Sequence, residues 1–529
     1  MFEMLSTPWI VVCFVLWFLF LLRSYSGQPK GLWTLALANT GERFGYYTML
    51  AVFVYFLADQ FGFDSNWASE TFSTFLFFVY LLPLLGGMMA DKWGYHKMVV
   101  IGIFIMFCGY LFLSVPLGAG SFALIAMCAG LLFVSLGTGL FKGNLQVMVG
   151  DLYNEQRYAD KRDSGFSLFY MAINVGALFA PTAAIEIMRY AQESLGYCKA
   201  DSYHFAFAVA CVSVIVSILV YYLGKGTFAH VIDTAPKSKA QAAQGLDSVA
   251  ECKEDPRDTR ERIVCLVLVY LVVVFFWMAF HQNGLTLSWF ADEYTARTST
   301  GLESMMFDVR NLLACIFIVY GIFGVLQTKG ATRLMAGALL VASPLYLYFA
   351  VPADGVVTDV SAPIFQHFNA CFVVMLTPVS VALFGWLGRI GKEPKAPVKI
   401  GLGMLVAAVA YILLAVSSFG LDPADPVKHT HLADLAPSVL VRTYLILTFA
   451  ELLLSPIGIS FVTKVAPAKY KGMMMGGWFV ATAIGNKLVS IPGHMWGMDL
   501  VAVWGVLAAI CVVAALFIFS IIRKLNKVS

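Results

Sequence analysis

The chain has 529 residues, of which 60% are hydrophobic and only 13% charged, and its mean hydropathy is +0.79. Soluble domains average about 45–50% apolar and about 25% charged residues, so this composition excludes a soluble enzyme or binding module. The net charge of +3 is too small at this length to point to nucleic acid.

A membrane span needs roughly 20 apolar residues, and the charged breaks divide the chain into many runs of about that length. The first, residues 9–22, lies in a lead-in segment over 1–30; Glu3 precedes it and Arg23 and Lys30 follow it. That charge order fits an extra helix with its N-terminus outside better than a cleaved signal peptide. A six-helix bundle is expected over 31–223, with spans near 32–58, 70–90, 97–116, 121–145, 166–188 and 205–223. A polar, charge-rich stretch over 224–262, with Pro236 and Pro256, reads as a solvated linker. A second bundle is expected over 263–529, with spans near 263–290, 365–388, 400–419, 441–463, 473–492 and 501–522. Two further runs, about 309–327 and 332–351, form a pair that returns the chain to its own side. The fold class expected is therefore an all-α polytopic membrane protein of two six-helix bundles, with an inserted helix pair and an extra N-terminal helix.

Lysine and arginine fix the expected orientation. One set of loops carries Lys92, Lys97, Arg157, Lys161, Arg389, Lys392, Lys395, Lys464, Lys471 and Arg523; the other carries Asp59, Asp64, Asp354, Asp359, Asp422 and Asp434. The linker and C-terminus are expected in the cytoplasm, and the protein in the cell membrane. Of the ten cysteines, Cys108, Cys128, Cys211, Cys371 and Cys511 sit inside apolar runs, where a thiol behaves as a small hydrophobe. Cys198 and Cys252 fall in loops on opposite sides and should not pair. No spacing suits a metal, and no cofactor is expected.

Ionisable residues at membrane depth cost about 2.5–3.5 kcal/mol each on insertion scales and normally face a cavity or a partner. Asn39, Glu42, Arg43, Tyr46 and Tyr47 fall along one stripe of the first core span. Lys142 and Asn144 lie on the fourth, Asn174 on the fifth, His281 and Gln282 on the seventh, Gln366 and Asn369 on the eighth, and Glu451 on the tenth. Any one of these could belong to an ion pair locking helices together. Spread over both halves, the set is better explained by a hydrated central cavity. Phe169-Tyr170 and Trp478-Phe479 are each followed six residues later by a glycine, Gly176 and Gly485, an internal echo of two related halves.

These residues resemble the proton-coupled oligopeptide transporters, a branch of the major facilitator superfamily. Glu42-Arg43-Phe44-Gly45-Tyr46-Tyr47 is similar to the family's ExxERFxYY, and Gly86 to Lys97 looks like the superfamily loop motif. Phe141-Lys142-Gly143-Asn144 resembles FKPN, and Phe169-Tyr170…Asn174…Gly176 resembles FYxxINxG. Gln366…Asn369, Glu451 with Ser455-Pro456…Gly458, and Gly477-Trp478-Phe479 with Gly485-Asn486 follow in the expected order. The resemblance implies a symporter of di- and tripeptides and protons, working by alternating access; one six-plus-six bundle can form its own pathway, so a monomer is expected. It implies that Asn174, Asn369 and Glu451 hold a peptide's amino terminus and that Arg43 and Lys142 face its carboxylate. Tyr47, Tyr80, Trp277 and Trp478 would shape side-chain pockets, although helix packing alone would also account for aromatic residues. Asp91 would latch helices at the cytoplasmic loop, and Lys142 would take part in gating.

Three departures fall on the coupling machinery. Asn39 replaces the first glutamate of the ExxER pattern, Leu50 stands where a second arginine is frequent, and His281 replaces the seventh-span glutamate. Lys142 would then face His281, and Glu42 with His281 become the expected proton sites; histidine titrates near pH ~6.5 when unperturbed. A carrier of another small metabolite or anion on the same scaffold, and a sensor that binds without transport, are the competing readings. An intramembrane enzyme has no HExxH or GxSxG motif to support it.

Overall fold

A computed structural model describes residues 2–158, 161–232, 256–350, 357–467 and 470–528. Among these, thirteen helices are long and apolar enough to cross a bilayer. The first half consists of α2 (Lys30–Phe61), α3 (Ser65–Trp93), α4 (Tyr95–Ser114), α5 (Ser121–Asp151), α6 (Arg162–Glu193) and α7 (Lys199–Leu223), preceded by α1 (Phe2–Ser24). Local chemistry sets the turns. Gly62 adopts φ +65° and ends α2 by donating its N–H to Ala58 O, and Asp64 then caps α3 by accepting from Trp67 N at 2.9 Å. Close helix approach needs glycine at matching positions: Gly102 of α4 lies against Gly137 of α5, where a Cβ on either would meet the other's backbone.

The back half begins with α8 at Pro256, not near 263 (Pro256–Phe280). Its first turns are charged, and Arg262 pairs with Asp258 at 2.9 Å. The seventh span is not continuous. It breaks after Phe280 into a 3-10 turn, His281–Gly284, and resumes as α9 (Thr286–Glu293). Gln282, Asn283 and Gly284 favour such a break, and Gly284 sits where a Cβ would strike Phe72. The inserted pair is α10 (Val309–Gln327) and α11 (Gly330–Ala350). The rest comprises α12 (His367–Arg389), α13 (Ala396–Ser417), α14 (Ser438–Val465), α15 (Lys471–Leu488), α16 (Ser490–His494), α17 (Leu500–Ser520) and α18 (Ile522–Val528). The eleventh span stops at Leu488, and a short turn containing Pro492 follows. Most of the expected linker, 233–255, and with it Cys252, lies outside the described residues; Cys198 is an exposed free thiol.

The short apolar run at 9–22 proves to be part of a 23-residue helix, α1. It packs on the inserted pair rather than standing alone: Trp17 lies against Phe317 and Tyr320, and Trp9 against Phe349. In the first half α5 packs on α3 and α4, and α2 on α6 and α7; in the back half α13 packs on α14 and α17, and α15 on α8. The halves meet through α3 with α15 and α16, and through α6 with α12. A cavity lies between them.

Candidate functional site

All nine residues expected to touch substrate line one cavity of about 250 Å3. The first half contributes Arg43 and Tyr47 from α2, Tyr80 from α3, Lys142 from α5 and Asn174 from α6. The back half contributes Trp277 from α8, Asn369 from α12, Glu451 from α14 and Trp478 from α15. The volume falls just below the ~300–1,000 Å3 of typical small-molecule sites.

The charges are separated by half. Arg43 is buried and held by Glu42 in a two-pronged pair, Nε to Oε2 at 2.5 Å and Nη2 to Oε1 at 2.6 Å, with its guanidinium 4.8 Å from the Tyr46 ring centre. Lys142 Nζ lies 4.6 Å over the Tyr80 ring. On the opposite wall Glu451 Oε2 accepts from Asn369 Nδ2 at 3.1 Å, and the same amide donates to Thr448 Oγ1 at 3.1 Å. Lys142 and the Glu42-paired Arg43 on one side therefore face the Glu451 carboxylate on the other. Asn174 spends one amide hydrogen on Tyr170 O at 3.0 Å, within its own helix.

Glycines of the back half seat the indoles. A Cβ at Gly458 of α14 would run into the ring of Trp478, and one at Gly485 of α15 would meet Val274 O and Trp277 Cβ. Trp277 in turn stacks on His281, with ring centres 5.0 Å apart and planes at 19°. His281 Nδ1 is buried without a hydrogen bond of ordinary geometry, and Asn486 is the neighbouring polar side chain.

Several expectations shift in detail. Lys142 and His281 are bridged by Tyr80, whose ring meets the lysine on one side and the imidazole at 5.7 Å. Glu42 is fully buried behind Arg43 and does not line the cavity. Asp91, expected at a loop away from substrate, is exposed, accepts from Tyr95 Oη at 2.8 Å and does not line the cavity. The cavity also includes Gln146 and Asn283, which the sequence reading did not single out. Gln146 stands one helical turn beyond Lys142, a signal that i, i+4 spacing could have found. Asn283 faces inward only because the seventh span is broken.

A protein-family model, the POT family, matches residues 96–244 and 345–495, together more than half of the sequence. The chain belongs to the POT family. It is 29% identical to a peptide transporter of Yersinia enterocolitica over 496 residues, covering 89% of each chain. It is 26% identical to a di-/tripeptide transporter of Lactococcus lactis, covering 88% of this chain and 89% of that one. A crystal structure of a peptide transporter POT in complex with sulfate superimposes with a TM-score of 0.71 at 23% identity, over 95% of this chain and 96% of that one. The POT-family chain is thus a multi-span membrane transporter with the major facilitator architecture.

Proposed function

We propose that the protein carries di- and tripeptides across the cell membrane together with protons, by alternating access, and that it performs no enzymatic reaction. The observation that carries this reading is the polarity of the cavity: Arg43 and Lys142 on one half face Glu451 and Asn369 on the other. A peptide zwitterion needs an opposite partner for each terminus when it loses water. Glu451, Asn369 and Asn174 take the ammonium; Arg43 and Lys142 take the carboxylate. Tyr47, Tyr80, Trp277 and Trp478 leave apolar room for varied side chains. The printed names of the Yersinia and Lactococcus relatives support the substrate class.

Glu42 and His281 are the proton sites in this account, and Asp91 and Lys142 take part in gating. The excess of lysine and arginine on one set of loops supports a cytoplasmic linker and C-terminus. With that orientation the conformer is closed outward, because polar bonds between the two halves, one of them to the Pro426 loop, gather at the Ser65 end of α3. Tyr55 Oη donates to Ser288 O at 2.8 Å, Ser65 N donates to Pro426 O at 2.9 Å, and Lys487 pairs with Glu70. One chain contains the whole pathway, so a monomer suffices. Competition against uptake of a labelled dipeptide tests the substrate class. Unlabelled di- and tripeptides should compete, while free amino acids and nitrate should not; competition by nitrate or by amino acids alone would replace the peptide reading with another solute.

A further inference from the structure

Outside the transport cavity, the turn between α12 and α13 and the end of α14 enclose a cleft of about 510 Å3. Its walls carry Glu393, Lys395, Lys399, Ser460, Phe461 and Lys464. Lys399 is only 8% exposed; its Nζ donates to Glu393 Oε1 at 2.5 Å and lies 4.1 Å over the Phe384 ring. That pairing neutralises one of the three lysines. Lys395 and Lys464 make no ion pair among the described residues, so the cleft keeps two uncompensated positive charges. Val398 N and Lys399 N in the first turn of α13 already donate to Lys395 O, so the attraction rests on the lysine side chains. The last turns of α12, which lead into the turn that carries Glu393 and Lys395, leave Val381, Leu383 and Trp386 exposed, apolar surface for acyl chains with an indole suited to the interface.

We propose that this cleft binds the phosphate of an anionic lipid headgroup, with Lys395 and Lys464 as its donors and Lys399 held in place behind them by Glu393. A basic pocket between helices on the cytoplasmic side suits an anionic headgroup, and the apolar flank of α12 provides a track for the acyl chains. Inorganic phosphate has the same chemistry but makes no use of that flank. A site of this kind couples the lipid of one leaflet to α12 and α14, which also carry Asn369 and Glu451 of the transport cavity.

The test uses the whole protein purified in neutral detergent and follows thermal unfolding as lipid is titrated. Phosphatidylglycerol should raise the midpoint, and phosphatidylcholine should not. The Lys395→Ala/Lys464→Ala double variant should keep the basal midpoint, because both side chains are exposed. Its apparent affinity for phosphatidylglycerol should fall about 25-fold, at roughly fivefold per lysine. Lys527→Ala, near the C-terminus, should respond like the parent. An undiminished response in the double variant overturns the site. An equal response to millimolar inorganic phosphate, with nothing added by phosphatidylglycerol, overturns the lipid as its occupant.

Discussion

Replacing Glu451 by glutamine removes one negative charge and keeps the side chain's shape. Asn369 Nδ2, 3.1 Å from Oε2, can still donate to the amide oxygen, so the wall of the cavity should survive. What disappears is the attraction for a substrate ammonium. At about 4 Å and an effective dielectric near 20, two unit charges attract by about 4 kcal/mol. A neutral hydrogen bond to the amide returns about 1 kcal/mol. The net loss is then about 2–3 kcal/mol, or roughly 30- to 150-fold in Kd. The assay is calorimetric binding of a dipeptide and of its N-acetylated form to parent and Glu451→Gln. Acetylation removes the ammonium, so the substitution should weaken the free peptide strongly and the acetylated peptide by less than about threefold. Equal losses for both ligands would refute the reasoning, because the coupling between carboxylate and ammonium would then be zero.

Glu42→Gln leaves the buried Arg43 guanidinium without its counter-charge. Breaking a buried pair in this way costs about 3–5 kcal/mol, so the unfolding midpoint in detergent should drop by several degrees; an unchanged midpoint would contradict the pairing. Gly458→Ala puts a methyl group into the Trp478 indole. Overpacking of that kind costs about 1–3 kcal/mol, and here it should appear as about tenfold or more weaker peptide binding with normal membrane insertion. His281→Gln should abolish the acceleration of uptake by an inward acid gradient while leaving counterflow exchange intact; unchanged gradient dependence would remove His281 from the proton path.

Much of the site was legible because polar residues at membrane depth are rare and stand out against apolar runs. Arg43, Lys142, Asn174, Asn369 and Glu451 could be named from their depth and motif positions, and all of them line the cavity. The span centres were legible for the same reason. The break at His281–Gly284 was not, since apolar residues continue on both sides and hydropathy does not register a local 3-10 turn. Contacts distant in sequence were also hidden. Nothing along the chain links Trp17 to Phe317, yet those rings bind α1 to the inserted pair. Glu70 and Lys487 are more than 400 residues apart, and only the packing of α3 on α15 makes them a bridge between the halves. The place of Tyr80 between Lys142 and His281 was hidden in the same way: the sequence cannot show that one ring meets both groups.

The most direct test of the account is dipeptide accumulation in proteoliposomes containing only this protein, with an acid exterior and a valinomycin-clamped membrane potential. The account predicts uptake above the external concentration, collapse of the gradient on adding a protonophore, and no accumulation of free amino acids. Dipeptide that merely equilibrates, with or without the acid gradient, would contradict proton-coupled peptide transport.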